Sequence, residues 1–168
     1  SDTPNRFQIR AEVEATNGDN TIIDSTSTFA VRTPNVVDEA RPPDVQDGIN
    51  YNSDGSVTLS LYAPDKEFVY ALGDFSNWEI DGEYFMKRHQ VAPDSTHWWI
   101  TLDNLSSGQE YAYQYFVDGE LRIGDPFSHK VLSPQDEALD AQALGFSGSI
   151  KPYPGDETEN LVSVLEPG

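Results

Sequence analysis

Tyr111-Ala112-Tyr113-Gln114-Tyr115-Phe116-Val117, closed by Asp118-Gly119 and followed by Leu121-Arg122-Ile123, decides the fold of this chain. The first run is rich in aromatic and β-branched residues, which suit a pleated surface. Strand parity puts Tyr113, Tyr115 and Val117 on one face and Gln114 on the other. Asp118-Gly119 is a tight-turn signal, and Gly124-Asp125-Pro126 stops the return strand. Two strands with one apolar face are marginal in water, so this hairpin needs a second layer to cover it.

Working outward, the neighbouring segments supply that layer. Val57-Thr58-Leu59-Ser60-Leu61-Tyr62 alternates, with Val57, Leu59 and Leu61 facing in and Tyr62 facing out, and Ala63-Pro64-Asp65 ends it. Phe68 to Leu72 is a further strand, leading into the polar loop Gly73-Asp74-Phe75-Ser76-Asn77-Trp78. In Trp98-Trp99-Ile100-Thr101-Leu102, Trp98 shares the core face with Ile100 and Leu102, which leaves Trp99 exposed on the opposite side. An exposed Trp99 would meet a neighbouring domain. Residues 49–131 therefore read as an all-β, two-sheet sandwich.

The flanks read differently. Residues 1–33 read as a hairpin, either the remnant of a preceding β domain or an element that docks on the main domain, with Asn17-Gly18 at its turn and Ser1-Asp2-Thr3-Pro4 expected at an internal boundary of a longer chain. Residues 34–48 form a linker stiffened by Pro34, Pro42 and Pro43. Residues 132–168 read as an extended connector. Within it, 132–148 could form a short helix beginning at Pro134 and ending at Gly145, and Leu161 to Leu165 could form a strand entering whatever follows.

Composition excludes several functions. Twenty-nine acids against ten bases give a net charge of -19 among 168 residues. Such a surface repels phosphate backbones and anionic lipid, so neither nucleic acid nor a membrane is expected as a partner. The acids are spread along the chain, as in a well-solvated surface or in adaptation to high salt, where self-repulsion is screened. No apolar run approaches the roughly 18 residues needed to span a bilayer, and no signal peptide is present in this stretch. The absence of cysteine rules out disulfides and thiolate metal sites. His89, His97 and His129 lie in different segments without metal-ligand spacing. Asn52-Ser53-Asp54-Gly55 lacks the alternating acids of a calcium loop and reads as a turn. Asp74, Asp118 and Asp125 stand at strand ends, where acids cap turns. No catalytic residue, metal or cofactor is expected.

Three of the segments quoted above recur in order: Val57 to Pro64, Gly73 to Trp78, and Tyr113 to Gly119 with Asp125-Pro126. Over residues 48–131 this set resembles the early-set immunoglobulin-like domain, akin to the family 48 carbohydrate-binding module, that precedes the catalytic barrel in family 13 glycoside hydrolases. Isoamylases, branching enzymes and many secreted α-amylases carry one, and the glycogen-binding module of the AMP-activated kinase β subunit is similar. The resemblance implies an immunoglobulin-like (early-set) β-sandwich with an N-terminal hairpin and an extended C-terminal connector. It implies a secreted, extracellular or envelope parent enzyme acting on starch or glycogen, of which this stretch is a non-catalytic module with the barrel of the same chain as its partner. The segment from Pro134 through Lys151-Pro152-Tyr153-Pro154 to Leu165 looks like the connector toward that barrel.

The resemblance also supplies an alternative, a weak α-glucan-binding module. In the binding relatives, the tryptophan matching Trp78 stacks on glucose. The candidate site residues are then Trp78, Asn77, Gln114 and Trp99. The family pattern has a lysine where Gln114 stands and a second tryptophan near Leu121, so one stacking platform and one amide remain. The competing role for Trp78 is packing, at the sandwich edge or against the barrel. A surface interaction domain unrelated to sugar is the third reading. Under the binding alternative, Trp78→Ala should abolish glucan retention in affinity electrophoresis and leave the fold intact.

Overall fold

The structure is a computed structural model and describes residues 6–17, 20–31, 35–138 and 151–168. The chain divides into two units, Ser1–Asn35 and Val36–Gly168. In the first, β1 (Arg6–Asn17) and β2 (Asn20–Val31) form an antiparallel hairpin with Arg6 opposite Val31 and Asn17 opposite Asn20. The expected turn residue Gly18 lies outside the described residues.

The second unit is built of β3 (Gly48–Tyr51), β4 (Val57–Tyr62), β5 (Val69–Gly73), β6 (Lys87–Ala92), β7 (Ser95–Leu102), β8 (Tyr111–Val117), β9 (Leu121–Ile123), β10 (Val131–Leu132) and β11 (Val162–Leu165). One sheet runs β3-β4-β7-β6 and the other β10-β11-β8-β5, with β9 also on β8. All these strand pairs are antiparallel. The result is the expected immunoglobulin-like β-sandwich, and no α-helix occurs among the described residues.

Alternation sets what lies between the sheets. Val57, Leu59 and Leu61 of β4 and Trp98, Ile100 and Leu102 of β7 face Val69 and Ala71 of β5 and Tyr111, Tyr113, Tyr115 and Val117 of β8. Met86 and Leu165 complete this core. The indole of Trp98 is fully buried, and its N–H donates to the Ala63 carbonyl at 3.0 Å, which satisfies the polar atom of an otherwise apolar side chain.

Two segments depart from the sequence reading. Residues 36–47, expected as linker, lie along the outer side of the first sheet. Glu39 N–H donates to the Arg88 carbonyl and Arg88 N–H to the Val37 carbonyl, each at 2.9 Å, so this strap pairs with the edge strand β6. It explains why Ser60, on the outward face of β4, is buried, its hydroxyl bonded to Arg41 and Asp47 of the strap. The second departure concerns residues 132–168. Far from being only a connector, this stretch contributes β11, which pairs with β8 (Val164 opposite Ala112) and sends Leu165 into the core. The helix expected from Pro134 is a short 3-10 turn, Pro134–Ala138, and the rest of it, including Gly145, lies outside the described residues.

A single carboxylate joins these parts. Asp125, 4 % exposed, accepts through Oδ2 from the hydroxyls of Tyr113 and Tyr115, each at 2.8 Å. Its Oδ1 accepts from Phe127 N–H at 2.8 Å, and its own N–H donates to Ser163 Oγ of β11 at 2.7 Å. Gly48, at φ +98°, passes over the same turn so closely that a Cβ there would lie 2.7 Å from Phe127 Cβ.

Burial, then the neighbouring phenol and the Asp125 carboxylate, push the Tyr113 phenol well above its ordinary value. Tyr115 is raised by burial and by Asp125, and Tyr70 is pushed up to about 12, mainly by burial. A phenol raised on folding stays protonated while its unfolded counterpart ionises. Its contribution to stability is therefore complete below the ordinary value of 10.0 and lost as pH climbs above it. Denaturant titrations should show constant stability from these groups up to about pH 10 and a steep fall beyond, with their phenolate absorbance appearing only on unfolding. Tyr113→Phe should cost about 1 kcal/mol, whereas Asp125→Ala, which orphans two buried hydroxyls and an amide, should cost about 3 kcal/mol or more in the same titration.

Candidate functional site

The Gly73–Trp78 loop is shaped by close contact with β8. A Cβ on Gly73 would collide with the Ala112 carbonyl oxygen and lie 2.8 Å from Tyr113 Cβ, so only glycine lets β5 leave the sheet here. The Asp74–Ser76 3-10 turn follows. Ser76 Oγ donates to the Gly73 carbonyl at 3.0 Å and accepts from Gly73 N–H at 3.1 Å. Asn77 and Trp78 then take left-handed backbone angles, φ 50° and 59°, which turn the chain back on itself. Trp78 N–H closes the loop onto the Gly73 carbonyl at 3.0 Å.

Asp74 is the hub of this loop. Its Oδ1 accepts from the Trp78 indole N–H at 3.1 Å, and its Oδ2 from the Ala112 amide at 2.8 Å. Lys151 Nζ lies 2.7 Å from the same Oδ2. One carboxylate thus holds the loop to β8, fixes the indole and anchors the incoming 151–160 segment.

The ring of Trp78 belongs to a second apolar cluster on the outer side of the β10-β11-β8-β5 sheet. It packs with Tyr70, Leu72, Ala112, Leu132, Tyr153, Val162 and Val164. Tyr153 is held there by its hydroxyl, which donates to the carbonyls of Thr158 (2.7 Å) and Asn160 (2.8 Å). At the margin of this cluster an open cleft of about 410 Å³ is lined by Asp74, Asn77, Trp78 and Tyr153 together with residues 154–157.

The four sequence candidates are not brought into one site. Asn77 is exposed and shares the cleft with Trp78, but Trp78 is only 9 % exposed and so has little ring surface open to a ligand. Gln114 does point away from the core, as its parity requires. It is nevertheless fully buried, its amide N–H donating to the Leu161 carbonyl at 2.9 Å, and it does not line the cleft. The expectation of an exposed Trp99 is corrected. The strap covers it to 5 % exposure, its indole N–H donates to the Glu39 carbonyl at 3.0 Å, and Lys87 Nζ sits 4.6 Å from its ring centre. Tyr62 is outward and exposed, beside His97.

The strand-end acids hold structure in place. Asp118 Oδ1 accepts from Glu67 N–H (2.7 Å) and Phe68 N–H (3.1 Å), while Asp74 and Asp125 act as described. Asp47 gathers Arg41 (2.6 Å), His97 Nδ1 (2.8 Å) and Ser60 Oγ (3.2 Å) around one oxygen. Ser60 is fully buried and bonds the carboxylate, with no hydrogen bond to the imidazole, so the trio lacks the order of a nucleophilic relay. No group of three or more His, Asp or Glu poised to hold a metal occurs among the described residues.

Sequence reasoning missed Lys151 and Tyr153 as members of this region. The available signal was Pro152-Tyr153-Pro154, an aromatic fixed between two prolines.

Over a stretch of 65 residues the chain is 31 % identical to the 1,4-alpha-glucan branching enzyme GlgB of Clostridium perfringens strain ATCC 13124. The identity to 1,4-alpha-glucan branching enzyme GlgB 2 of C. perfringens strain 13 is 32 % over the same length. The aligned stretch is 39 % of this chain and 9 % of each of these curated relatives. No family model matches the chain.

Because Trp78 closes a cluster, its removal is a stability defect before it is anything else. Trp78→Ala should cost about 3 kcal/mol or more in urea unfolding, contrary to the expectation that the fold would tolerate it. Gly73→Ala should also destabilise, through the clash with β8.

Proposed function

We propose that this chain is a non-catalytic module of an α-glucan-active enzyme, and that it serves to position and shield a catalytic barrel. The observation that carries the reading is the fate of the Gly73–Trp78 loop. The tryptophan that would stack on sugar is turned inward, and the Asp74 carboxylate is fully engaged by Trp78, Ala112 and Lys151. Similarity to part of two 1,4-alpha-glucan branching enzymes supports the choice of parent. Secretion and a starch- or glycogen-containing habitat accompany this reading. The net charge of -19 suits a module that stays soluble beside a neutral polysaccharide, and screening at high salt would relieve its self-repulsion.

A second reading, direct glucan binding, is favoured by the cleft beside Asn77. It offers the exposed part of Trp78, the ring of Tyr153 and several oxygen acceptors to a hydroxyl-rich ligand. Affinity electrophoresis in gels with and without glycogen or amylopectin, at moderate and at molar salt, separates the two. The positioning module should migrate equally in all gels. Retardation that disappears in a variant carrying Asp156→Ala and Glu157→Ala would transfer the assignment to glucan binding, since both side chains are exposed and outside the core.

A further inference from the structure

Six of the seven Lys and Arg side chains of unit 36–168 are paired with carboxylates. Arg41 pairs with Asp47, Lys66 with Asp118, Lys87 with Glu39, Arg88 with Asp38, Lys130 with Glu110 and Lys151 with Asp74. The remaining one, Arg122, lies over the ring of Phe116, 5.4 Å from its centre. Several carboxylates outside these pairs are exposed. Two of them, Glu83 and Asp103, line a cleft of about 510 Å³ at the end of the sandwich where the Gly82–Tyr84 turn meets the β7–β8 loop.

The floor of that cleft is aromatic. Phe75 and Tyr84 are in contact, with ring centres 5.2 Å apart and planes inclined by 44°, and both are half-buried against the core. Tyr84 is locked by its hydroxyl, which donates to the Phe75 carbonyl at 2.7 Å. Tyr111 forms the inner wall, its hydroxyl accepting from Ser106 N–H at 2.9 Å. Asn104 stands at the rim with a left-handed backbone, φ 62°. Among the described residues, no Lys, Arg or His lines the cleft. The Tyr84 phenol is raised by burial first, then by the negative charges of Glu83 and Asp81, so the local field is that of an acidic pocket.

Rigid aromatic faces, two carboxylates that form no ion pair among the described residues and an amide at the rim make a receptor for a flat, delocalised cation. A guanidinium can lie on the ring faces while its N–H groups reach the carboxylates. An ammonium offers no plane to stack, and a neutral sugar could accept the rings and hydrogen-bond the carboxylates but would leave their charge uncompensated.

We infer that the cleft formed by Phe75, Tyr84, Tyr111, Glu83, Asp103 and Asn104 receives an arginine side chain from the surface of a partner protein. The partner's identity as a catalytic barrel rests on the function proposed above; the chemistry of the pocket does not. The carboxylates steer the cation inward and the rings hold its plane, so the contact would fix the orientation of the module as well as its attachment.

The probe is N-acetylarginine amide, titrated into the isotopically labelled full chain and followed by the backbone amide signals of Tyr84 and Asn104. Saturable shifts at these residues are expected, weaker at high salt and larger than with the lysine analogue. In a variant carrying Glu83→Gln and Asp103→Asn the apparent affinity should fall about tenfold, two exposed charge contacts having been removed. Both side chains are at the surface, so the variant's spectrum should otherwise match the parent's. Absence of saturable shifts, equal shifts with a norleucine analogue, or an affinity unchanged in the variant would overturn the inference. Shifts produced by maltose in place of the arginine probe would also overturn it and make the cleft a sugar site. The glycogen gels test the proposed function separately, because neither Glu83 nor Asp103 belongs to the Asn77 cleft.

Discussion

The buried carboxylate of Asp125 is the constraint on which the rest of unit 36–168 depends. A charge-bearing group at 4 % exposure is tolerable only when its lone pairs are filled, and here they are filled from three directions. The two phenols of β8 bind one oxygen, the amide of Phe127 binds the other, and the backbone of Asp125 itself is tied to Ser163. Satisfying that one group fixes the side-chain rotamers of Tyr113 and Tyr115 in the core. It also fixes the turn after β9 and the position of β11 beside β8. Strand β11 comes from late in the chain, so this polar node is what joins a distant segment to the central hairpin.

Asp74 repeats the arrangement on the other side of β8, where Gly73 of β5, like Ser163 of β11, lies opposite Tyr113. It holds the exit of β5 against Ala112 of β8 and anchors Lys151 of the late segment. The outer face of the β10-β11-β8-β5 sheet acquires a core of its own that includes the rings of Trp78, Tyr70 and Tyr153. A sheet covered on both faces has little aromatic surface left to offer a ligand. This is the physical reason a loop that looks like a sugar platform behaves as a structural latch.

Charge is organised by the same economy of partners. In a chain of net charge -19, the few cations of this unit are drawn into pairs that fasten segments to the sandwich. Arg88 and Lys87 hold the strap, Arg41 gathers Asp47 beneath it, and Lys151 secures the second cluster. Each exposed pair contributes little alone. Together they leave an outer surface dominated by unmatched acids, including those at the aromatic cleft.

Much of the fold was legible in the chain itself. Strands β4, β5, β7, β8 and β9 follow from alternation and from Asp-Gly, Gly-Asp-Pro and Ala-Pro punctuation, and the inward faces of β4, β7 and β8 were readable from parity. Strand β6, Lys87-Arg88-His89-Gln90-Val91-Ala92, was not, because it is an edge strand with polar residues on both faces. Parity also stated that Gln114 and Trp99 turn away from the core, and they do. What it could not state is what comes to lie over them. Alternation is a local property of one strand, whereas the cover over an outward face is a long-range contact: Glu39 of the strap over Trp99, and the Leu161 carbonyl bonded to Gln114. The sequence by itself determined the strands, their faces and the absence of thiol chemistry. Only the tertiary structure decided which outward aromatics are available, because that depends on where remote segments find hydrogen bonds and apolar surface to bury.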